Sequence, residues 1–158
     1  MLHSLICCNE ANYVLLARYF QPELTLEARQ AYETQLARVC SQVPDLWGEK
    51  PGRKDAEPVQ SQLVVCDAQF VVLRQLGELR LLLSGSEEYD ELILDEIMTL
   101  LQAVLTTQLE KKLTEASLLA NYAKVVVALD EMVQQGHLEN ADEASIDQMS
   151  KLKPYPSK

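Results

Sequence analysis

The order of the short apolar segments is the feature that most limits how this chain can fold. Five segments of strand length are rich in Val, Leu, Ile and Phe and are bounded by polar turn residues: 2–8, 13–20, 62–67, 70–75 and 79–84. A helical pattern follows the second segment, and further helical patterns follow the fifth. We find no βαβ crossover suited to parallel pairing. The order β-β-α-β-β-β-α-α therefore predicts an α+β fold, with one antiparallel five-stranded sheet packed between helices.

Apolar residues three or four positions apart predict three helices and a short final one. Residues suited to cap a helix precede the first, second and last of them: Thr25, Ser86 and Asp142. The second helix is acidic at its start and closes with Lys111 and Lys112, as the helix dipole favours. The third runs from about Ser117 to Gln135 and is expected to stop at Gly136.

The third helix is unusually apolar in its middle, where three valines follow one another from residue 125. A helix that is apolar beyond one stripe is buried on more than one side, either inside its own domain or against a second protein. Val126 and Leu129 share one face with Tyr122, whereas Val125 and Met132 share a neighbouring face. We expect this helix to carry much of the association with a partner or of the domain's own core. If the first face meets the sheet, the second is the one that meets a partner; the five residues together form the candidate partner interface.

The chain is long enough for one domain with a sizeable core, but not for two. It has 158 residues, of which 47% are hydrophobic. We assign residues 1–152 to a single domain and 153–158 to an extended tail. Segment 41–60 holds three prolines and two glycines, which predicts a flexible insertion loop. Trp47, within it, can either pack back on the domain or anchor a partner.

The charge balance argues against nucleic acid and against direct membrane binding. Fourteen Lys and Arg stand against twenty-four Asp and Glu, a formal net charge of −10 that repels phosphates and anionic headgroups. The apolar start, residues 1–8, is too short to span a bilayer and lacks the basic flank and cleavage site of a signal peptide. We therefore expect a cytoplasmic protein.

The sequence contains no pattern typical of an enzyme or of a cofactor site. Its five glycines never form a phosphate-binding GxGxxG or GxxxxGK pattern. Cys66 beside Asp67, or Cys8 near His3, are the nucleophile candidates, but an apolar strand does not lower the pKa of a thiol. Cys7 and Cys8 should point to opposite faces of their strand, and we expect all four cysteines to be reduced and buried.

Metal ligands are equally scarce, with no CxxC pattern and only two histidines. We predict no catalytic residue, no metal and no cofactor. Most adjacent carboxylates fit solvated helix faces, but Asp130 and Glu131 interrupt the apolar run 125–133. One of them is expected to be solvated and the other to meet a backbone amide or a partner arginine.

Two stretches of this third helix and its flank carry a family resemblance. Residues 125–133 read VVVALDEMV and residues 136–142 read GHLENAD. Together they resemble a signature of the small subunits of vesicle-coat adaptors, the sigma chains of clathrin adaptors and the zeta chain of coatomer. The sequence LLARYF at 15–20 resembles the first hairpin of sigma chains. The segments SGSEEYDEL at 84–92, LENAD at 138–142 and KLKP at 151–154 most resemble the small subunit of the TSET complex, which is called the TPLATE complex in plants, with coatomer zeta next.

This resemblance implies a longin-like fold and a non-catalytic role in assembling a coat. It implies that the chain packs against the trunk of one large subunit and stabilises a complex with a medium and a second large subunit. The membrane contact would then be indirect, and a TSET-type chain would act in endocytosis at clathrin-coated pits. The alternative class is a stand-alone longin-domain trafficking regulator. Leu15 stands where sigma chains carry a basic residue that helps to hold a dileucine cargo signal, so that role is not carried over.

Overall fold

The computed structural model describes residues 1–21, 23–43 and 61–152, and the side chains of the last helix as far as residue 148. The predicted loop therefore lies outside the described residues from position 44 onward, as does Trp47. The predicted tail 153–158 also lies outside them.

The predicted sheet is confirmed, with five antiparallel strands. They are β1 (Leu2–Cys8), β2 (Val14–Tyr19), β3 (Gln62–Cys66), β4 (Gln69–Leu76) and β5 (Leu79–Gly85). Their order across the sheet is β2-β1-β5-β4-β3. The hairpin β1–β2 is joined to the meander β3–β4–β5 through the pairing of β1 with β5, which leaves β2 and β3 as the two edge strands.

Helices cover both faces of the sheet, as predicted for a longin-like fold. The helix α1 (Leu26–Ser41) packs on one face, where Tyr32 and Leu36 meet the strand residues Ile6 and Val64 in a smaller core. The other face carries the larger core and four helices: α2 (Glu91–Gln108), α3 (Glu115–Ala120), α4 (Tyr122–Met132) and α5 (Glu143–Leu152). A hairpin of two short strands, β6 (Val133–Gln134) and β7 (His137–Leu138), connects α4 to α5.

The helix starts agree with the predicted caps in two of three cases. The hydroxyl of Thr25 accepts the N–H of Ala28, and the carboxylate of Asp142 accepts the N–H of Ala144. The exception is α2, which is capped by Asp90 and not by Ser86. The N–H of Ser86 is instead bonded to the carbonyl of Met1, which keeps the chain in a turn before the helix can begin.

The end of α2 also differs from the prediction. The helix stops at Gln108, before the two lysines expected to close it. Glu110 and Lys111 adopt positive φ angles of 53° and 66°, which no α-helix accommodates. Leu113 follows this turn and lies against Gly77 of the β4–β5 hairpin, so the turn redirects the chain back toward the sheet.

The predicted third helix is two helices and a hairpin. Thr114 caps α3, and α4 begins after Asn121, whose backbone (φ −112°, ψ 21°) is not helical. The stop comes at Met132, because Val133 and Gln134 already pair with β7. Gly136 (φ 81°) turns that hairpin, and a Cβ there would lie 3.2 Å from the carbonyl oxygen of Leu2.

Candidate protein-interaction surfaces

The candidate interface residues of α4 do not share one environment. Val125 and Leu129 are 1% exposed and Met132 is fully buried, all three in the larger core of the domain. The side of α4 that was expected to meet a partner is covered by α5, with which α4 packs and whose Ile146 is fully buried in the same core. In this chain Val125 and Met132 are therefore covered by contacts within the domain.

Two of the predicted interface residues lie on the outer side of α4. Tyr122 is 42% exposed, and Val126 is half-buried at the rim of the core. Leu119, in the preceding helix α3, is 53% exposed. We call Leu119, Tyr122 and Val126 the α4 surface.

Asp130 of the family-like signature is held by an arginine of the same chain. Its carboxylate forms an ion pair with the guanidinium of Arg18 on the edge strand β2. Both side chains are more than a third exposed, so the pair adds little to the stability. The pair does connect α4 to the edge strand of the first hairpin, so the two family-like segments LLARYF and VVVALDEMV are in contact.

The second half of the signature docks the β6–β7 hairpin. The N–H of Leu2 donates to the carbonyl of Gly136 at 2.7 Å, and the N–H of Leu138 donates to the hydroxyl of Tyr89 at 2.9 Å. The N–H of Glu139 donates to the carbonyl of Met132 at 2.8 Å. These residues therefore build the domain, and the signature marks the fold more than a binding site.

A second surface, which the sequence reasoning missed, lies at the opposite edge of the sheet. Leu63 and Val65 of β3 are 46% and 56% exposed, although their cross-strand neighbours Val72 and Phe70 pack on the larger core. Cross-strand partners point to the same face, so Leu63 and Val65 lie on the face that carries α2. Leu92, near the start of α2, is 72% exposed. We call Leu63, Val65 and Leu92 the β3 surface.

A signal for this surface was present in the sequence. The strand β3 reads QLVVC and is apolar at consecutive positions, whereas a strand with one solvated face alternates. Val64 and Cys66 face α1, which covers that side of the strand. The other side of β3 has the composition of a covered face but is exposed within the described part of the chain.

A buried arginine marks the border of the β3 surface. Arg74 on β4 is 6% exposed and donates to Asp95 at 2.8 Å and to Gln102 at 2.9 Å, both on α2. Its Nε donates to the hydroxyl of Ser61 at 3.0 Å, and a further contact reaches Thr99 at 3.3 Å. These bonds hold α2 over β4 and β5, so that β3 extends beyond the helical layer.

The nucleophile candidates Cys8 and Cys66, like His3, are buried in the domain. The ring of His3 packs against Tyr32 at 4.3 Å, and its Nδ1 lies 3.0 Å from the hydroxyl of Ser4. Cys7 belongs to the larger core and Cys8 to the smaller one, which confirms that they point to opposite faces. Burial raises the pKa of Cys7 to about 12, and that of Cys8 and Cys66 to about 11.

These raised pKa values predict unreactive thiols in the native protein. At pH 7.5 the thiolate fraction falls tenfold for each unit of pKa, so a thiol with a pKa near 11 should react about 100-fold more slowly than an unfolded one. Alkylation with iodoacetamide, followed by mass spectrometry, should label all four cysteines within minutes in urea and scarcely any in buffer. Rapid native labelling of Cys7, Cys8 or Cys66 would contradict the burial described above.

Within the ranges given above, no group of three or more His, Cys, Asp or Glu side chains is placed to hold a metal ion. Among the described helices, none has the length and apolar character needed to cross a membrane.

Comparison with known proteins connects this architecture to one family. The profile of the clathrin adaptor complex small chain matches residues 1–153. A relative from Dictyostelium discoideum, "TSET complex member tstD", is 27% identical over 154 residues, which are 97% of this chain and 94% of the relative.

Solved structures agree on the fold. A chain of a homology model of the full-length AP-3 complex in a stretched open conformation superimposes with a TM-score of 0.61 at 15% identity, over 96% of this chain and 92% of that one. The family match, the TSET relative and the shared fold identify a sigma-like vesicle-coat adaptor small subunit that resembles the TSET member. The chain belongs to the clathrin adaptor complex small chain family.

Proposed function

We propose that the chain stabilises the core of a TSET-type adaptor complex by binding one of its large subunits, and that this complex acts in endocytosis. The single observation that carries the proposal is the match to a TSET complex member over 97% of this chain. The family is structural and non-catalytic, and the thiols of Cys7, Cys8 and Cys66 are buried with raised pKa values, which agrees with a role in association. A cytoplasmic protein that reaches the membrane only through its complex fits this role.

The α4 surface is the part of the predicted interface that is accessible for such a contact. Tyr122 offers a large amphipathic side chain of the kind that is enriched among interface hot spots, and Leu119 lies just before it in the chain. Val126 extends the same side of α4 toward the Arg18–Asp130 ion pair. We propose that these residues contact the large subunit, whereas Val125, Leu129 and Met132 support them from inside.

Purification of the tagged chain from its native cells, followed by mass spectrometry, tests the proposed function. We expect two large subunits and one medium subunit of a single adaptor at equal stoichiometry. Coatomer subunits would indicate a zeta-like chain, and clathrin-adaptor subunits a sigma-like chain of that type. Recovery of the chain without any large subunit would contradict the proposal and would favour a stand-alone longin-domain regulator.

A substitution in the α4 surface tests the contact itself. Tyr122→Asp with Leu119→Asp should lower recovery of the large subunit at least about tenfold, because loss of one interface hot spot costs about 2 kcal/mol or more. Leu26→Asp is the control, since Leu26 is an apolar residue that is even more exposed but lies on α1, on the opposite face of the sheet. Equal recovery of the large subunit with all three proteins would place the contact elsewhere.

A further inference from the structure

We infer that the β3 surface is the docking site for a basic amphipathic helix of the large subunit, which completes the helical layer over the sheet. This inference rests on the proposed function, because it assigns a second contact to the same partner. It differs in chemistry from the α4 surface, where an aromatic side chain dominates.

The shape of the helical layer indicates a helix as the occupant. On this face α4 lies at the β2 edge, as the Arg18–Asp130 pair shows, and α2 lies over β4 and β5. The other two helices of this face pack against these two, α3 against α4 and α5 against both. Neighbouring strands are about 4.8 Å apart and packed helices about 8–10 Å apart, so α2 and α4 cover roughly four strands. The fifth strand, β3, therefore lacks a helix among the described elements, and one further helix beside α2 would cover Leu63 and Val65.

The apolar content of the surface agrees with a covered face. Leu63 and Val65 lie on the same side of β3 and next to the buried Val72 and half-buried Phe70, so a partner helix would extend an existing core. The row Val65, Phe70 and Gly85 crosses the sheet at the end where α2 begins, which brings the exposed Leu92 to the same end of the surface. Burial of such apolar side chains under a partner helix would stabilise the complex.

The charge around the surface specifies the partner's polar side. Residues 61–73 and 81–110 contain no Lys or Arg, whereas α2 carries Glu91, Asp95 and Glu96 in its first two turns. Asp95 is paired with the buried Arg74, so Glu91 and Glu96, both exposed, are the acidic groups open to a partner. A helix with Lys or Arg beside its apolar stripe would match them, and an acidic helix would be repelled.

Co-expression of the complete adaptor complex with variants of this chain tests the inference. Leu63→Thr with Val65→Thr keeps residues that favour a strand and removes the apolar contact. It should lower recovery of the large subunit at least about tenfold. Glu91→Lys with Glu96→Lys should lower the salt concentration at which the large subunit is released, because it converts attraction into repulsion. Glu23→Lys with Glu27→Lys, both exposed before and within α1, is the matched control and should change neither result.

Thermal unfolding of each purified variant separates lost docking from lost folding. If the variant Leu63→Thr with Val65→Thr fails to fold, the charge-reversal variant of Glu91 and Glu96 tests the inference instead. Full recovery and an unchanged salt profile in that charge-reversal variant would overturn the inference, and the proposed function would stand. Absence of a large subunit even with the unsubstituted chain would overturn the proposed function. The purified chain could also form dimers that the Leu63 and Val65 substitutions abolish. That result would show that a second copy of the chain occupies the surface and would also overturn the inference.

Discussion

Replacing Val125 and Met132 together by aspartate is expected to unfold the chain. Both side chains are almost completely buried in the larger hydrophobic core. An unpaired carboxylate in such surroundings costs several kcal/mol. Two of them together cost most or all of the 5–15 kcal/mol that stabilises a typical domain. Circular dichroism and urea unfolding of the purified chain should show loss of the cooperative transition.

Two single substitutions on α4 serve as controls for this result. Leu129→Ala should cost about 2–5 kcal/mol, the usual range for a buried leucine. Tyr122→Asp should change the unfolding free energy by less than about 1 kcal/mol, because its side chain is already partly in water. A double aspartate variant that folds with normal stability but no longer recovers the large subunit would restore Val125 and Met132 to the partner interface.

The sheet could be predicted from the sequence because its signals are local. Each strand is a short apolar run closed by polar turn residues, and no predicted boundary differs from the observed one by more than one residue. The pairing of β1 with β5 follows once the sheet is antiparallel and the first hairpin must join the meander. The caps at Thr25 and Asp142 were predictable for the same reason, since one side chain and the next three residues decide them.

The third helix could not be predicted in full because its break depends on tertiary contacts. Nothing between Leu118 and Val125 forbids a continuous helix, yet both residues are buried in the core on separate helices that meet at Asn121. The side chain of Asn121 donates to the carbonyl of Ser117, which satisfies the end of α3 at the break. A helical period shows that two faces are apolar, but it does not show which of them α5 covers.

The β3 surface shows a related limit of sequence reasoning. Consecutive apolar residues indicate that both faces of a strand are covered, but they do not tell whether the cover comes from the same chain. The position of α2 decides this, and it depends on Arg74, whose partners Asp95 and Gln102 are more than 20 residues away in the sequence. No local pattern identifies an arginine that lies in a strand as the group that positions a helix.

The second large effect concerns the ion pair between Arg74 and Asp95. We expect removal of the carboxylate to cost more stability than removal of the guanidinium. Asp95→Ala leaves a buried guanidinium with only neutral acceptors, in Ser61, Thr99 and Gln102. Loss of one partner from a buried ion pair typically costs about 3–5 kcal/mol, and the remaining hydrogen bonds should reduce this to about 2–4 kcal/mol. Urea unfolding of the purified variant measures the loss.

Arg74→Leu should cost less, about 0–2 kcal/mol, although it removes the same ion pair. The side chain of Asp95 is half exposed, so water can solvate its carboxylate once the arginine is gone, and a leucine fills most of the vacated space with apolar surface. In the double variant Arg74→Leu with Asp95→Ala, removing the carboxylate no longer leaves an unpaired guanidinium. The stability of the double variant should therefore lie close to that of Arg74→Leu alone. A larger loss for Arg74→Leu than for Asp95→Ala would show that the guanidinium stabilises α2 mainly through its neutral hydrogen bonds, and additive losses in the double variant would show that the two charges do not interact.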